Sequence, residues 1–185
     1  MPTDMSRLPA LCADDMSPEQ RAVAHAITQG PRGEVRGPFI PLLHNPDAAN
    51  AVQQMGSFLR FNGTLPGDLR EMVILMTARQ WRAQYEWFAH HKIALDEGLD
   101  TAVADAIANH QQPSFSDARL ASVYDFVTAM YRDHQVDDAT YARTAEHLSS
   151  AELVELVVLC GHYHTIAMVL NGFNVPVPGG AQPLA

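Results

Sequence analysis

Two glutamates and a histidine are the residues of this chain whose types and spacing best fit acid–base chemistry. Glu86 and His90 are four residues apart, so on a helix their side chains lie on one face, one turn from each other. Glu71 stands one predicted helix earlier. A carboxylate beside a histidine can orient the imidazole and favour its charged form, so the trio predicts a site for proton transfer. The face of Glu86 and His90 also carries Ala83, Trp87 and Ala94.

The surroundings of His90 predict an apolar setting with shifted pKa values, because Trp87, Ile93 and Ala94 are its helical neighbours. Burial alone raises the pKa of a carboxylate and lowers that of a histidine, whereas an adjacent Glu–His pair favours the charged form of each. The sequence leaves open whether His90 is an available base or a fixed imidazolium. Either form can take part in proton transfer.

A structural interpretation of the same residues competes with the catalytic one. Acid–base pairs four residues apart are common supports of helices, so Glu86 and His90 could form a plain ion pair. Glu71 lies in the early turns of a helix that begins at Pro66, where an acid complements the macrodipole. Glu155, which could be explained in the same way, has no histidine at a comparable spacing.

The spacing of these residues resembles that of the alkyl-hydroperoxidase D and carboxymuconolactone decarboxylase superfamily. The disulfide-reducing branch of that superfamily carries Glu, a Cys-x-x-Cys pair and His in this order and at this spacing. Here Ala83 and Glu86 stand at the two cysteine positions, so the resemblance implies acid–base residues without a redox couple. It covers residues 36–178, and the segments that carry it are Glu71-Met72-Val73-Ile74-Leu75 and Ala83-Gln84-Tyr85-Glu86-Trp87-Phe88-Ala89-His90.

The chain is predicted to be all-α, because nearly every segment has helical punctuation and none has a convincing strand pattern. The resemblance implies an AhpD-like bundle of about seven to eight helices. We expect an N-terminal arm and helix over 1–35, a carboxymuconolactone decarboxylase-like domain over 36–178 and a flexible tail over 179–185. Helices are expected from Ser17-Pro18 to Gly30, from Asn45-Pro46 to Asn62-Gly63 with Val52, Met55, Phe58 and Leu59 on its apolar face, from Pro66 towards Gln80, from Arg82 to Glu97, at 101–109, 117–134 and 138–147, and from Ser150 to Phe173.

A weak internal repeat supports this architecture. The run from Leu69 to Leu75 matches the run from Leu153 to Leu159 at Leu, Glu, Val and Leu positions, and it pairs Glu71 with Glu155. An amphipathic helix and a turn precede each run. The pattern predicts two helical hairpins related by pseudo-symmetry that bury their apolar faces against each other.

Four further residues are predicted to bind a substrate. Arg36 and Phe39 lie in a connector that resembles the segment before the first core helix of decarboxylase-like members, where they would act as a carboxylate clamp and a lid. Trp87 and His162 are expected to form walls of one cavity, in which the Glu71 and His90 side chains meet. A metal bound by Glu86, His90 and a third histidine is an alternative, but His162 and His164 point about 200° apart on a helix and no metalloenzyme motif is present. We expect neither a metal nor a cofactor.

Composition limits the possible partners and compartments. The formal charge of −9 comes without a basic cluster, which argues against nucleic acids and anionic membranes. No signal peptide or spanning helix is recognisable near the start, so we expect a cytoplasmic protein. Cys12 and Cys160 are far apart and are expected to be free thiols without dithiol reductase activity. The long apolar helix from Ser150 favours a homo-oligomer, which the resemblance implies to be a trimer or hexamer.

The resemblance implies a cofactor-free lyase or isomerase that acts on a small carboxylated lactone or oxo acid, as in the catabolism of aromatic compounds. His90 would donate and accept the proton, Glu86 would orient it, and Glu71 would be a second acid. His90→Gln is then expected to abolish activity at little cost in stability, and Glu86→Gln to lower the pKa of His90 and move the acid limb of the pH–rate profile downward. A non-catalytic oligomer with a structural Glu–His network is the alternative, and a thiol peroxidase is a more remote one.

Overall fold

The structure is a computed structural model that describes residues 6–184, and within that range it contains α-helices and no β-strand. The all-α prediction is confirmed. The helix count exceeds the prediction because the connector contains a short extra helix of four residues. The helices are α1 (Pro18–Gln29), α2 (Phe39–Leu42), α3 (Pro46–Ser57), α4 (Gly67–Gln80), α5 (Gln84–Asp96), α6 (Thr101–Ala108), α7 (Ala118–Asp133), α8 (Asp138–Ala145) and α9 (Ser150–Gly172).

Local sequence determines where the helices begin. Ser17 and Ser149 each accept a hydrogen bond from the backbone of the third helical residue, whose side chain returns a bond to the cap, so α1 and α9 begin with complete capping boxes. Asn45 and Asp137 cap α3 and α8 in the simpler way. These caps satisfy backbone N–H groups that the first turn of a helix leaves unpaired.

Helix α4 occupies the centre of the molecule and packs against α5, α6, α7 and α9. Every side chain from Glu71 to Arg79 is buried, including those of Val73, Ile74 and Leu75. A helix surrounded in this way needs no polar face, because burial of apolar surface contributes about 25 cal/mol per Å² wherever it occurs. A polar side chain in the buried part of α4 therefore needs a partner inside the protein.

The second predicted helix differs from expectation. It ends at Ser57 and continues as a π-helical turn over Phe58–Asn62, and the predicted apolar face is wrong at Met55 and Phe58, which are 45% and 48% exposed. The buried side of α3 instead carries the small residues Ala49 and Gly56. Small residues let the backbone of α3 approach its neighbours closely, so this interface uses residues without large apolar side chains.

The two glutamates of the proposed repeat are both buried but have different partners. Glu155 accepts hydrogen bonds from the backbone N–H groups of Thr64 and Leu65, at 2.8 and 3.3 Å, in the turn that leads into α4. It therefore holds the start of the central helix. Glu71 faces α5, so only one member of the pair contacts a histidine.

The C-terminal residues are attached to the rest of the chain. Leu184 is only 3% exposed, its backbone N–H donates to the Gln84 side chain at 2.8 Å, and its carbonyl oxygen accepts from the Gln84 amide at 2.7 Å. The tail expected to be flexible from residue 179 is thus anchored at Leu184, because an apolar side chain and a polar partner are both available there. The boundaries of the three predicted regions stay a prediction.

Helix α9 is long and apolar enough to cross a membrane by length and composition alone. However, 56% of its most apolar window is buried inside the protein, against α4 and α5 among others. Packing therefore explains the apolar residues on the buried side of α9, whereas Val154, Val157, Val158 and Met168 are exposed.

Candidate active site

A tight reversal between α4 and α5 brings Glu71 opposite His90. Helix α4 ends at Gln80, Arg82 takes a left-handed backbone conformation with φ of 48°, and the Ala83 N–H donates to the Ala78 carbonyl oxygen at 2.8 Å. The two helices therefore run antiparallel after a connection of three residues, a length typical of helical hairpins. Residues well before the turn on α4 consequently face residues well after it on α5.

His90 lies between two carboxylates. Its Nδ1 is 2.6 Å from Oε2 of Glu71 and its Nε2 is 3.1 Å from Oε1 of Glu86. The exposed fractions are 1% for Glu71, 4% for Glu86 and 4% for His90. The predicted contact between Glu71 and His90 is confirmed, and the predicted stripe of Glu86, His90 and Ala94 is buried as a whole.

The two carboxylates determine the charge of the histidine. Although burial disfavours the imidazolium, the charges and hydrogen bonds of Glu71 and Glu86 raise the pKa of His90 to about 9. Burial likewise acts against the charged form of Glu71, but His90 and Arg70 lower the pKa of that carboxyl. At neutral pH His90 is therefore an imidazolium with both N–H groups donated to carboxylates, so it is a proton donor.

A second charged layer connects this cluster to the surface. Nε of Arg70 is 3.2 Å from Oε1 of Glu71, and Nη2 of Arg70 is 3.4 Å from Oε1 of the more exposed Glu97. Glu71 thus has a partner for each of its oxygens, His90 on one side and Arg70 on the other. Such double pairing holds the Glu71 carboxylate in one orientation.

Aromatic and neutral groups from α9 form the adjoining wall. The Tyr163 ring meets the His90 ring edge-on with centroids 5.3 Å apart, and His162 meets Tyr163 at 5.2 Å. Burial lowers the pKa of His162 to about 4, with Arg32 and Arg60 acting in the same direction and Glu86 against it. His162 is therefore neutral where His90 is charged, because only His90 has carboxylates in contact with both ring nitrogens.

An arginine that the sequence did not single out reaches this wall. A Cβ atom added to Gly56 would lie 2.5 Å from Nη2 of Arg32 and 2.8 Å from Nε2 of His162, so the two side chains meet at the bare backbone of α3. The Arg32 guanidinium also covers the Phe39 ring, with its carbon 4.8 Å from the ring centroid. The isolated glycine inside a helical segment was a signal of such a close approach.

The four predicted binding residues have separate positions. His162 lies at the site and Trp87 is buried, where it stacks on His91 with centroids 5.7 Å apart. Phe39 is buried in a small cluster beneath Arg32 rather than free to act as a lid. Arg36 is wrong as a clamp in this arrangement, because its side chain is 65% exposed and pairs with Glu34 at 2.8 Å on the surface.

Two surface cavities lie away from the acid–base cluster. A cavity of about 380 Å³ is lined by residues of α4, α6 and α7, and one of about 700 Å³ lies between Tyr85 and the C-terminal segment. Neither is lined by Glu71, Glu86 or His90. These three residues are almost fully buried, so the acid–base cluster is enclosed within a single chain. A ligand can therefore reach it only if neighbouring side chains move.

The alternative chemistries of metal binding and thiol exchange receive little support. Among the residues that the structure describes, no cluster of three or more His, Cys, Asp or Glu side chains has the arrangement of a metal site. His164 bonds to the Cys160 carbonyl oxygen at 2.8 Å and does not join His162. Cys12 and Cys160 are free, as predicted, and burial raises the pKa of the Cys160 thiol to about 11, which disfavours the thiolate needed for exchange.

Comparisons with known proteins establish the fold. No protein-family model matches the chain, and no curated protein matches it in sequence. A solved structure described as an alkylhydroperoxidase AhpD core, an uncharacterized peroxidase-related protein from Ralstonia eutropha, is 20% identical with a TM-score of 0.76 and covers 94% of this chain and 92% of its own. An uncharacterized peroxidase-related protein from a Silicibacter species is 17% identical with a TM-score of 0.74, and the match covers 94% of this chain and 92% of the neighbour's chain.

A third neighbour is a variant of the debrominase Bmp8 in complex with 2,3,4-tribromopyrrole, at 16% identity and a TM-score of 0.71, covering 95% of this chain and 92% of its own. At these identities the likeness shows the AhpD-like helical fold and no shared activity. The class of protein is therefore defined by its fold together with an acid–base cluster on α4 and α5.

Proposed function

We propose that this protein is a cofactor-free lyase or isomerase that acts by acid–base chemistry on a small carboxylated lactone or oxo acid. The observation that carries the proposal is His90, an imidazolium held between the buried carboxylates of Glu71 and Glu86. The Bmp8 neighbour was solved with a small ring compound, which supports a small cyclic ligand on this fold. The compartment proposed is the cytoplasm.

The proposed reaction needs a conjugated carbonyl in the substrate, which accepts the electron pair of the broken bond, and one proton from the protein. The bond between the ring carbon and the carboxylate breaks, CO₂ leaves, and the electron pair passes into the conjugated carbonyl as a dienolate. His90 then delivers the proton on Nε2 to carbon, because its contact to Glu86, at 3.1 Å, is longer than its contact to Glu71, at 2.6 Å. Solvent returns a proton to His90, and Glu71 keeps the imidazole ring of His90 in place. General acids in such positions contribute about 10²–10⁴-fold to rate.

An isomerase would use the same groups in a different order. The Glu86 carboxylate would remove a proton from a carbon next to the carbonyl, and His90 would return one at the conjugated position. Glu86 is suited to this because its Oε1 lies 3.1 Å from Nε2 of His90, so the base and the acid are adjacent. The two reactions share an enolate, and they differ in whether CO₂ or a proton is lost first.

The test is proton transfer to carbon, measured directly. The protein is incubated in D₂O at pD 7 with a panel of unsaturated lactone carboxylic acids and 2-oxo acids, and ¹H NMR follows deuterium incorporation while a coupled assay follows CO₂. We expect incorporation or CO₂ release well above the rate in buffer. If no acid exchanges and none loses CO₂, the enclosed cluster is architectural.

The structural alternative has its own supporting observation. The cluster is enclosed and every nitrogen of His90 is satisfied, as in a buried ion pair that serves conformational specificity alone. A thiol peroxidase is less favoured, because Ala83 and Glu86 stand where a dithiol would be and Cys160 is a buried, protonated thiol. The exchange experiment separates the first alternative from the enzyme, since an architectural pair moves no proton to carbon.

We also propose that the protein is a homo-oligomer, a trimer or a hexamer, assembled through α9. Val154, Val157, Val158 and Met168 are exposed apolar side chains that follow one another at helical spacing, with the open Gly161 on the same stripe. An apolar stripe on the longest helix fits burial against a neighbouring subunit, and head-to-tail contacts of this kind close a ring of three. No nucleic acid or membrane partner is proposed, given the charge of −9.

Val157→Glu is expected to shift the assembly towards a monomer of 20.3 kDa, because a charge would have to be buried between subunits. Multi-angle light scattering at micromolar concentration measures the mass. The matched control is Tyr141→Glu, at an exposed apolar position on α8. A wild-type protein that runs as a stable monomer would contradict the proposal.

A further inference from the structure

Arg32 is a partly buried cation without an acidic partner in the described part of the chain. Its Nε is buried and has no hydrogen-bond partner among residues 6–184, and no described carboxylate lies within ion-pair distance of its guanidinium. The other arginines near the core differ from it, since Arg70 pairs with Glu71 and Arg119 pairs with Asp68 at 2.6 Å. A buried N–H group without a hydrogen-bond partner is costly, so the unpaired Nε of Arg32 calls for a ligand or another compensating group.

The Nη2 end of Arg32 lies beside His162, in the wall that adjoins the acid–base cluster. Nε and Nη2 form the side-on edge of a guanidinium, the edge whose two N–H groups donate to both oxygens of a carboxylate. Nη2 lies beside Gly56 and His162, and Glu86 and Tyr163 are close enough to act on the charge of Arg32. The Phe39 ring packs against the flat face of the guanidinium in a cation–π contact, with 4.8 Å between the guanidinium carbon and the ring centroid. Contacts with Phe39, Gly56 and His162 therefore hold the guanidinium in place, and no carboxylate of the described residues does so.

Gly56 leaves room for this arrangement. A Cβ atom there would lie 2.5 Å from Nη2 of Arg32 and 2.8 Å from Nε2 of His162, closer than real contacts allow. A side chain at this position would push the arginine away from the histidine. The backbone of α3 thus leaves space beside two nitrogen atoms that can donate to an anion, Nη2 and, in the suitable tautomer, Nε2 of His162.

We infer that the Nε–Nη2 edge of Arg32, with His162 beside it, binds the carboxylate of the substrate next to Glu86 and His90. The inference rests on the proposed function in naming the anion as the substrate's own carboxylate. The ligand class is a small monocarboxylic acid with a compact ring or chain. Because Nε is covered in this structure, entry of the acid requires a rotation of the long Arg32 side chain, which its unbranched stem allows.

The inference is tested by binding and not by turnover. Isothermal titration compares 5-oxotetrahydrofuran-3-carboxylate with γ-butyrolactone, the same ring without the carboxylate. We expect the wild-type protein to bind the acid about ten- to a hundredfold more tightly than the lactone, the range of one charge-assisted bidentate contact. Equal binding of the two compounds would overturn the inference.

Variants locate the contact. R32Q is expected to lose the preference for the acid, and G56A to weaken it, whereas R36Q, which removes an exposed arginine from the same connector, is expected to keep it. R32Q that still prefers the acid would sink the idea. Should R32Q or G56A fail to fold, the ¹⁵Nε–¹H resonance of Arg32 in the wild-type protein gives a second readout: it should shift with the acid and stay unchanged with the lactone.

The outcomes separate this inference from the proposed function. Loss of acid binding in R32Q together with an absence of deuterium exchange would leave an anion-binding site without lyase chemistry. Exchange that depends on His90 with unchanged acid binding in R32Q would leave the enzyme and remove the role of Arg32. Each result counts against one of the two statements and not the other.

Discussion

His90→Gln is expected to lower kcat/KM for the exchange or decarboxylation reaction by about 10²–10⁴-fold, the usual contribution of a general acid. Glutamine keeps a hydrogen-bond donor of similar length but has no proton to give to carbon. The measurement is the ¹H NMR exchange assay at pD 7, with rates expressed per folded protein. The matched control is His91→Gln, which changes the neighbouring residue that stacks on Trp87 at the edge of the same helix. Activity within threefold of wild type in H90Q would contradict the role of His90.

The same substitution is also expected to destabilise the protein, contrary to the expectation from sequence of little cost. Glu71 and Glu86 are both buried, and removal of the imidazolium leaves two carboxylates without their cation. Breaking a buried charge pair by removal of one partner costs about 3–5 kcal/mol. Chemical denaturation measures the difference in the free energy of unfolding. A loss below about 1 kcal/mol would indicate that the carboxylates take up protons or water in the variant.

The sequence predicts local relations well because helical spacing is a local property. Glu86 and His90 share a face because they are four residues apart on one helix. The placement of Glu71 opposite His90 is implied by the family resemblance, and the short turn between two antiparallel helices accounts for it in the structure. The capping boxes at Ser17 and Ser149 are likewise complete within four residues. In each case the partners lie either on one helix or on adjacent ones, so few alternative arrangements compete.

The connector and α3 could not be predicted in the same way. Arg32 and Arg36 are both arginines in a Pro- and Gly-containing segment without periodicity, and only tertiary packing decides that Arg32 turns inward while Arg36 pairs with Glu34. On α3 the buried side follows Gly56 instead of the large residue Met55, because close backbone approach replaces side-chain burial there. Hydrophobic patterns depend on the size and polarity of each residue. The inward turn of Arg32 and the close approach at Gly56 depend instead on how the segments fit together in three dimensions.

The two carboxylates should contribute unequally to the charge of His90. Glu71→Gln is expected to lower the pKa of His90 by at least about one unit, and Glu86→Gln by less, because the contact of His90 to Glu71 is 2.6 Å and that to Glu86 is 3.1 Å. The ¹³Cε1–¹H resonance of His90, followed by NMR from pH 5 to 10, reports the pKa in each variant. A pKa of His90 that stays at about 9 in both variants would remove the electrostatic account of the site.

The direction of the rate and stability effects follows from the same pKa. The sequence predicts a shift of the acid limb, but His90 acts as the protonated form with a pKa of about 9, so the alkaline limb of kcat/KM should move to lower pH in Glu71→Gln.

The pKa of His90 also makes the stability of the fold depend on pH. A folded pKa above the unfolded value of about 6.5 stabilises the fold fully below pH 6.5, and this stabilisation is lost as the pH rises towards 9. His162, whose folded pKa is about 4, acts in the opposite sense: its contribution is present above pH 6.5 and is lost as the pH falls towards 4. Denaturation at pH 6.5 and 9 should therefore show a smaller loss of stability in Glu71→Gln than in wild type, and an equal loss in both would assign the alkaline decline to other groups.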